Sequence, residues 1–306
     1  MGAILDHVPV SIVIPAYNEA RRLPASLPRL VAMARKLAGA EIILVDDGST
    51  DGTAELARRL LRELPKAHVV QLPWNSGKGT AIRVGVAMAR GEAIVFMDAD
   101  MASDVNDLPL LLNALSDAEI ALGSRRLGDG ATRSHGRRMG SWAFNQVTRT
   151  LASLDFADTQ CGFKAFRHRE AKMLFSLARA TGFGFDVEVL SLARAMGLRV
   201  VEVPVRWSEV GGGTFRVSRH TPAMLVDVLR ARRHLRRVSP TLPPTLLPTP
   251  EVVAESARRA VTAGGSGRVY SLGTPSATPA PLPSTMPGGM SVSRETGSRR
   301  APREVV

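Results

Sequence analysis

Short β-branched runs alternate with segments of helical spacing through most of the chain, and no other feature restricts the fold as much. The runs are "VSIVIP", "EIILVDD", "HVVQL", "EAIVFMD" and "EIALGS", and between them lie segments such as "TAELARRLLREL" and "GTAIRVGVAMARG". Strands and helices in that order read as βαβ units. The expected fold is α/β, a mostly parallel sheet flanked by helices. In such sheets ligands bind beyond the carboxyl ends of the strands, where the connecting loops gather.

The alternation stops near Val238. Beyond it, "SPTLPPTLLPTPEVV" and "GTPSATPAPLPSTMPGGM" are rich in Pro, Thr, Ser and Gly, and 11 of the 20 prolines fall there. Residues 1–237 are therefore expected to form the folded domain and 238–306 a disordered C-terminal tail. With 306 residues and 44% hydrophobic content the chain can bury a sizeable core. Its net charge of +12 favours anionic partners: nucleic acid, phosphorylated substrates or an anionic membrane surface. A single cysteine, Cys161, excludes an internal disulfide framework and any metal site built on cysteines. The opening "MGAILDHVPVSIVIPAYNEA" has no basic leader, and Asp6, His7 and two prolines interrupt its apolar run, so no signal peptide is expected. No stretch reaches the roughly 18–20 consecutive apolar residues of a membrane span.

Two strand ends carry carboxylates. "AIVFMDADM" runs apolar and then places Asp98 and Asp100 one residue apart, and "VDDGSTDGT" ends the second strand with Asp46 and Asp47. Aspartates at such places either cap the next helix or serve as hard oxygen ligands for Mg²⁺ or Mn²⁺, which is typically held by one or two carboxylates plus substrate phosphates. Two acidic strand ends brought together repel each other unless a cation or a donor-rich ligand lies between them. "NSGKGT" is not a phosphate-binding P-loop, because Leu72 and Gly79 stand where that motif needs Gly and Ser or Thr. Its glycines still leave backbone amides at a helix start, so Lys78 and Gly79 are candidates to approach a nucleotide.

Taken in order, "VSIVIPAYNEA", "ILVDDGSTDGT", "NSGKGTAIRVGVAMARGE" and "FMDADM" resemble the nucleotide-sugar-binding half of family 2 glycosyltransferases of the GT-A fold. Further on, "GSRR", "DTQCGFKAFRH", "FGFDVEVL" and "VVEVPVRWSEV" resemble the subset that glycosylates a polyprenyl phosphate, among them the dolichyl-phosphate β-glucosyltransferases. The resemblance implies a nucleotide-sugar half at about 8–124 and an acceptor half at about 125–237 within the one domain. It also implies that Pro15, Ala16, Tyr17 and Glu19 line the base and ribose, with Asp47 hydrogen-bonding the base. Asp98, Ala99 and Asp100 would then lie against the diphosphate, with Asp98 and Asp100 holding the metal and Asp100 its more direct ligand.

In the acceptor half, Arg125 opens the basic run "RRLGDGATRSHGRRMG", whose arginines suit phosphate binding. Asp158 matches the position often treated as catalytic in the family. Because a phosphate monoester is largely ionised near neutrality, the expected role of Asp158 is to orient the acceptor, Lys164 or an arginine. Cys161 reads as a buried packing residue. In "GFGFDVEVLSLARAMG" the stripe Phe185, Val189, Leu192 and Met196 reads as core, which leaves Asp186 or Glu188 to face the acceptor.

The activity the resemblance implies is metal-dependent transfer of a hexose, glucose from UDP-glucose being favoured, to a polyprenyl phosphate at the cytoplasmic face of the membrane, with inversion at the anomeric carbon. Attachment there would be peripheral. It could come from the basic amphipathic segment Thr221–Arg237, the loop Arg125–Arg138 or a membrane-protein partner. Transfer to a soluble phosphorylated acid is the alternative of the same chemistry. A basic nucleic-acid-binding protein is the alternative of another class, and few aromatics, acidic strand ends and the lack of a recognition motif speak against it.

Overall fold

The structure is a computed structural model that describes residues 9–127 and 154–210, apart from 38, 155 and 183, together with 226, 230, 233 and 268–270. Most of the basic run after Arg125, most of Thr221–Arg237 and nearly all of the Pro-rich tail lie outside the described residues.

Strand β1 (Val10–Ala16) is buried along its whole length, which explains its nearly continuous apolar sequence: helices cover both faces of the sheet. Alternation along the strand sends Ile12 and Ile14 to one face and Val13 to the other. On the first face they meet α1 (Leu23–Ala34), α2 (Thr53–Leu61) and α4 (Leu108–Ala114). The second face, which carries Val13, is covered by α3 (Lys78–Met88), α5 (His168–Leu177) and α6 (Phe185–Ala195). The stripe Leu23, Leu27 and Leu30 of α1 shows how helical spacing turns one face inward.

The remaining strands are β2 (Glu41–Asp46), β3 (Ala67–Gln71), β4 (Ala93–Met97), β5 (Ile120–Ser124), β6 (Phe163–Arg167), β7 (Val200–Pro204) and β8 (Arg268–Tyr270). They form one sheet in the order β3-β2-β1-β4-β6-β5-β7-β8. Pairing is parallel from β3 through β2 and β1 to β4 and again between β5 and β7, whereas β6 and β8 run antiparallel to their neighbours. Strand β8 falls within 238–306, the tail expected to be disordered, in the proline-free part between its two Pro-rich segments, as three residues paired with the edge of β7.

Two consequences follow for function. The carboxyl ends of β1, β2, β4, β5 and β7 gather at one end of the sheet, together with the entry to the antiparallel β6. Between β1 and β4 the strand order changes direction, and a crevice for ligands opens at such a point.

Candidate active site

The loops leaving β1 and β2 are bound to each other. Asn18, at a left-handed φ of 53°, accepts from the Thr50 amide and donates its own amide to Ser49 Oγ, while the Glu19 amide donates to Thr53 Oγ1. Asp51 joins this lattice: burial works to raise its pKa, but hydrogen bonds from Thr53 and the Ala20 amide outweigh that and lower it. Pro15 and Ala16 are buried at the strand end, and Tyr17 is half-buried beyond them.

Asp46 and Asp47 turn out to have different environments. Asp47 accepts the amides of Ser76 at 2.7 Å and Gly77 at 2.8 Å, so it holds the loop that starts α3. A carboxylate offers about four acceptor directions, so this leaves capacity for a base as well. Asp46 accepts from Ser49, and its second oxygen is buried without a partner among the described residues. Burial raises the pKa of both carboxyls.

On the β4 side of the crevice, Asp98 pairs with Lys78 at 2.5 Å and Asp100 with Arg22 at 3.2 Å. Arg22 also binds Glu19, so one guanidinium joins the β1 loop to the carboxylates after β4. Burial pushes the Glu19 carboxyl up to about 7, against the attraction of Arg22 and with the help of Asp100 and Asp98. Burial and the neighbouring charge of Asp98 likewise raise Asp100. Burial disfavours the Lys78 ammonium, but Asp98 and Asp186 outweigh it and raise its pKa. Ala99 is buried between the two aspartates.

The glycine loop before α3 behaves differently from its reading as an anion site. The Gly79 amide donates to the Thr181 carbonyl at 2.7 Å, so it is committed to the protein, and the Lys78 side chain alone points toward the carboxylates.

The acceptor-half residues split into two pairs. Asp158 grips Arg125 at Nε (2.6 Å) and Nη2 (2.7 Å) and accepts the Arg125 amide, so the residue it orients is an arginine. Burial opposes the guanidinium charge, but Asp158 outweighs it and raises the Arg125 pKa. Lys164 is separate: its side chain is 1% exposed and donates to Asp186 at 2.7 Å and to the Cys161 carbonyl at 2.5 Å. That geometry makes Lys164 an internal brace and not a group within reach of an acceptor. Neither acid of α6 faces outward, because Asp186 holds Lys164 and Glu188 accepts the amides of Arg179 and Ala180. Cys161 is buried, and burial raises its thiol pKa.

Sequence reasoning missed two residues here. Gly162 lies so close to Asp98 that a Cβ built on it would stand 2.0 Å from Asp98 Oδ2, so only glycine leaves that carboxylate its place. The signal available was a glycine immediately before a strand. The other is Glu202, fully buried on β7, which accepts the amides of Ala157 and Asp158.

Four buried side-chain polar atoms have no partner among the described residues: Glu19 Oε2, Asp46 Oδ2, Ser124 Oγ and Gln160 Nε2. All belong to strand ends or loops at the crevice end of the sheet, so that end is prepared for a polar ligand. The donor set there fits a divalent cation. Asp98 and Asp100 offer hard oxygens now balanced by two side-chain cations, and no cage of three or more carboxylate, His or Cys ligands occurs among the described residues. Such a pair suits an ion completed by substrate phosphates.

Comparison with known proteins agrees with this geometry. The model of glycosyl transferase family 2 matches residues 11–174. The chain is 38% identical over 221 residues to a dolichyl-phosphate β-glucosyltransferase of Drosophila melanogaster, covering 66% of this chain and 68% of that protein. It is 32% identical over 245 residues to the dolichyl-phosphate β-glucosyltransferase of Dictyostelium discoideum, covering 74% and 75%. Its fold is similar, with a TM-score of 0.52, to a glucosyl-3-phosphoglycerate synthase from Mycobacterium tuberculosis solved with Mn²⁺, UDP and glucosyl-3-phosphoglycerate, at 22% identity over 80% of this chain and 82% of that one. Fold, crevice and relatives together define a glycosyltransferase. Within that class, the chain belongs to glycosyl transferase family 2.

Proposed function

We propose that this enzyme transfers glucose from UDP-glucose to a polyprenyl phosphate of the dolichyl type. The observation that carries the reading is the crevice between β1 and β4, where Asp98 and Asp100 are balanced by Lys78 and Arg22 beside a buried Glu19. The named activity of the curated relatives supports the sugar and the acceptor.

In this reading Pro15, Ala16, Tyr17, Glu19 and Asp47 bind the nucleoside, and Asp98 and Asp100 hold Mg²⁺ or Mn²⁺ against the diphosphate. The ion, when bound, supplies positive charge to the departing diphosphate. Lys78 and Arg22, the cations paired with these carboxylates, would offer positive charge to the phosphates as well. The acceptor phosphate, with a second pKa of about 6, is largely a dianion near neutrality and attacks the anomeric carbon as the bond to the nucleoside diphosphate breaks. No side chain has to take a proton, in agreement with an Asp158 whose carboxylate is engaged by Arg125. Asp158 uses Nε and Nη2 of Arg125, and Nη1 of the same guanidinium suits a substrate phosphate.

The acceptor places the reaction at a membrane surface, with the enzyme attached peripherally on its cytoplasmic side. No helix among the described residues is long and apolar enough to cross a membrane. In the basic segment expected to dock, Val226, Arg230 and Arg233 are helical and exposed, at the spacing of one helix face. Purified protein incubated with a panel of nucleotide sugars, a prenyl phosphate and Mg²⁺ or Mn²⁺ tests the reading: UDP-glucose should be the best donor, and a different preferred sugar would refute it.

A further inference from the structure

Glu202 lies at the centre of β7, with no measurable exposure, on the sheet face that also buries Leu122, Leu154, Phe156 and Val200. A carboxylate on such a face is costly to bury unless hydrogen bonds satisfy it. Its two oxygens each accept one backbone amide, Ala157 on Oε2 and Asp158 on Oε1, both at 2.9 Å. These amides begin the turn Asp158–Gly162. The far part of the same turn is held by a second buried charge, the Lys164 ammonium, which takes the Cys161 carbonyl at 2.5 Å and is itself paired with Asp186.

This turn carries groups from both sides of the site. Its first residue grips the Arg125 guanidinium at two nitrogens, and its last lies against the Asp98 carboxylate. The register of β5 and β7 sets Glu202 beside Leu122, three residues before Arg125 in sequence, so the carboxylate stands behind the strand end that presents the arginine. We propose that Glu202 is a positioning residue for sugar transfer, acting through the backbone of Ala157 and Asp158 to hold Arg125 toward the acceptor phosphate. The inference rests on the functional reading above.

The test is Glu202→Gln, which keeps the side-chain shape but sets an NH₂ group against one of the two amide donors. With UDP-glucose and a short prenyl phosphate, kcat should fall by about tenfold or more, while KM for UDP-glucose stays near the parent value, because the groups proposed for the donor are untouched. Amide exchange at Ala157 and Asp158 should quicken. In an Asp158→Asn background the same change should add little, since both act through one guanidinium. Losses that multiply, or parent kinetics with unchanged exchange, would overturn the proposal. If Glu202→Gln is recovered unfolded, Glu202→Asp keeps the charge one methylene short and should show the same pattern to a smaller degree; parent behaviour there also overturns it. A parent enzyme that transfers no sugar refutes the functional reading instead, while the amide exchange still decides whether Glu202 holds the turn.

Discussion

Replacing Gly162 by Ala adds one methyl group at the point where the turn before β6 meets the crevice. The new Cβ would stand 2.0 Å from Asp98 Oδ2, 2.3 Å from its Cγ and 2.6 Å from Oδ1, where ordinary contact begins near 3.4 Å. Gly162 has no positive φ, so Ala is not strained in its backbone, and the whole effect falls on the carboxylate. Asp98 must retreat by about 1 Å or more, and misplacement on that scale lowers turnover by about 10²-fold. Overpacking of a core costs about 1–3 kcal/mol, and here the low end applies because the atoms met are the free end of one side chain. At roughly 2–4 °C per kcal/mol for a domain of this size, the melting temperature should fall by only a few degrees. Transfer of labelled glucose to a prenyl phosphate, measured beside thermal unfolding, reads both quantities. Turnover within about threefold of the parent would refute the claim that Gly162 makes room for a functional Asp98.

Two further outcomes are expected. Glu19 holds its proton to about pH 7 when folded and to about 4.5 when unfolded, so its contribution favours the folded state below 4.5 and is lost as pH rises through 7. Melting temperatures from pH 5 to 8 should therefore decline more in the parent than in Glu19→Gln, and parallel curves would contradict the raised pKa. Asp186→Asn leaves the buried Lys164 ammonium without its counter-charge and should destabilise by roughly 3–5 kcal/mol, with part of the loss recovered when Lys164→Met is added. Thermal unfolding of the two single variants and the double variant checks this, and simple additivity would contradict a coupled pair.

Local pattern made much of the fold legible. The five runs in the first half are β1 to β5, and the helical segments between them include α2 and α3, because buried parallel strands and amphipathic helices leave distinct periodicities. The place of β6 was not legible. "FKAFR" lies between β4 and β5 in the sheet, a pairing set by contacts distant in sequence. Asp98 and Asp100 announce themselves as carboxylates at a strand end. The support beneath them does not: Asp186 and Glu188 read as exposed because they leave the apolar stripe of α6, yet that helix is buried on every side from Phe185 to Ala193. A buried Lys164 and a buried Glu202 cannot be told from surface charges without knowing which amides, carbonyls and counter-charges meet them.

Purified enzyme given UDP-glucose and Mn²⁺ with a polyprenyl phosphate and 3-phosphoglycerate in the same vessel reveals which acceptor takes the sugar. Glucose should appear in the lipid fraction, and its appearance should stop in excess chelator and in Asp100→Asn. Glucose recovered only on the water-soluble acid would contradict the lipid acceptor, and undiminished transfer by Asp100→Asn would contradict the site.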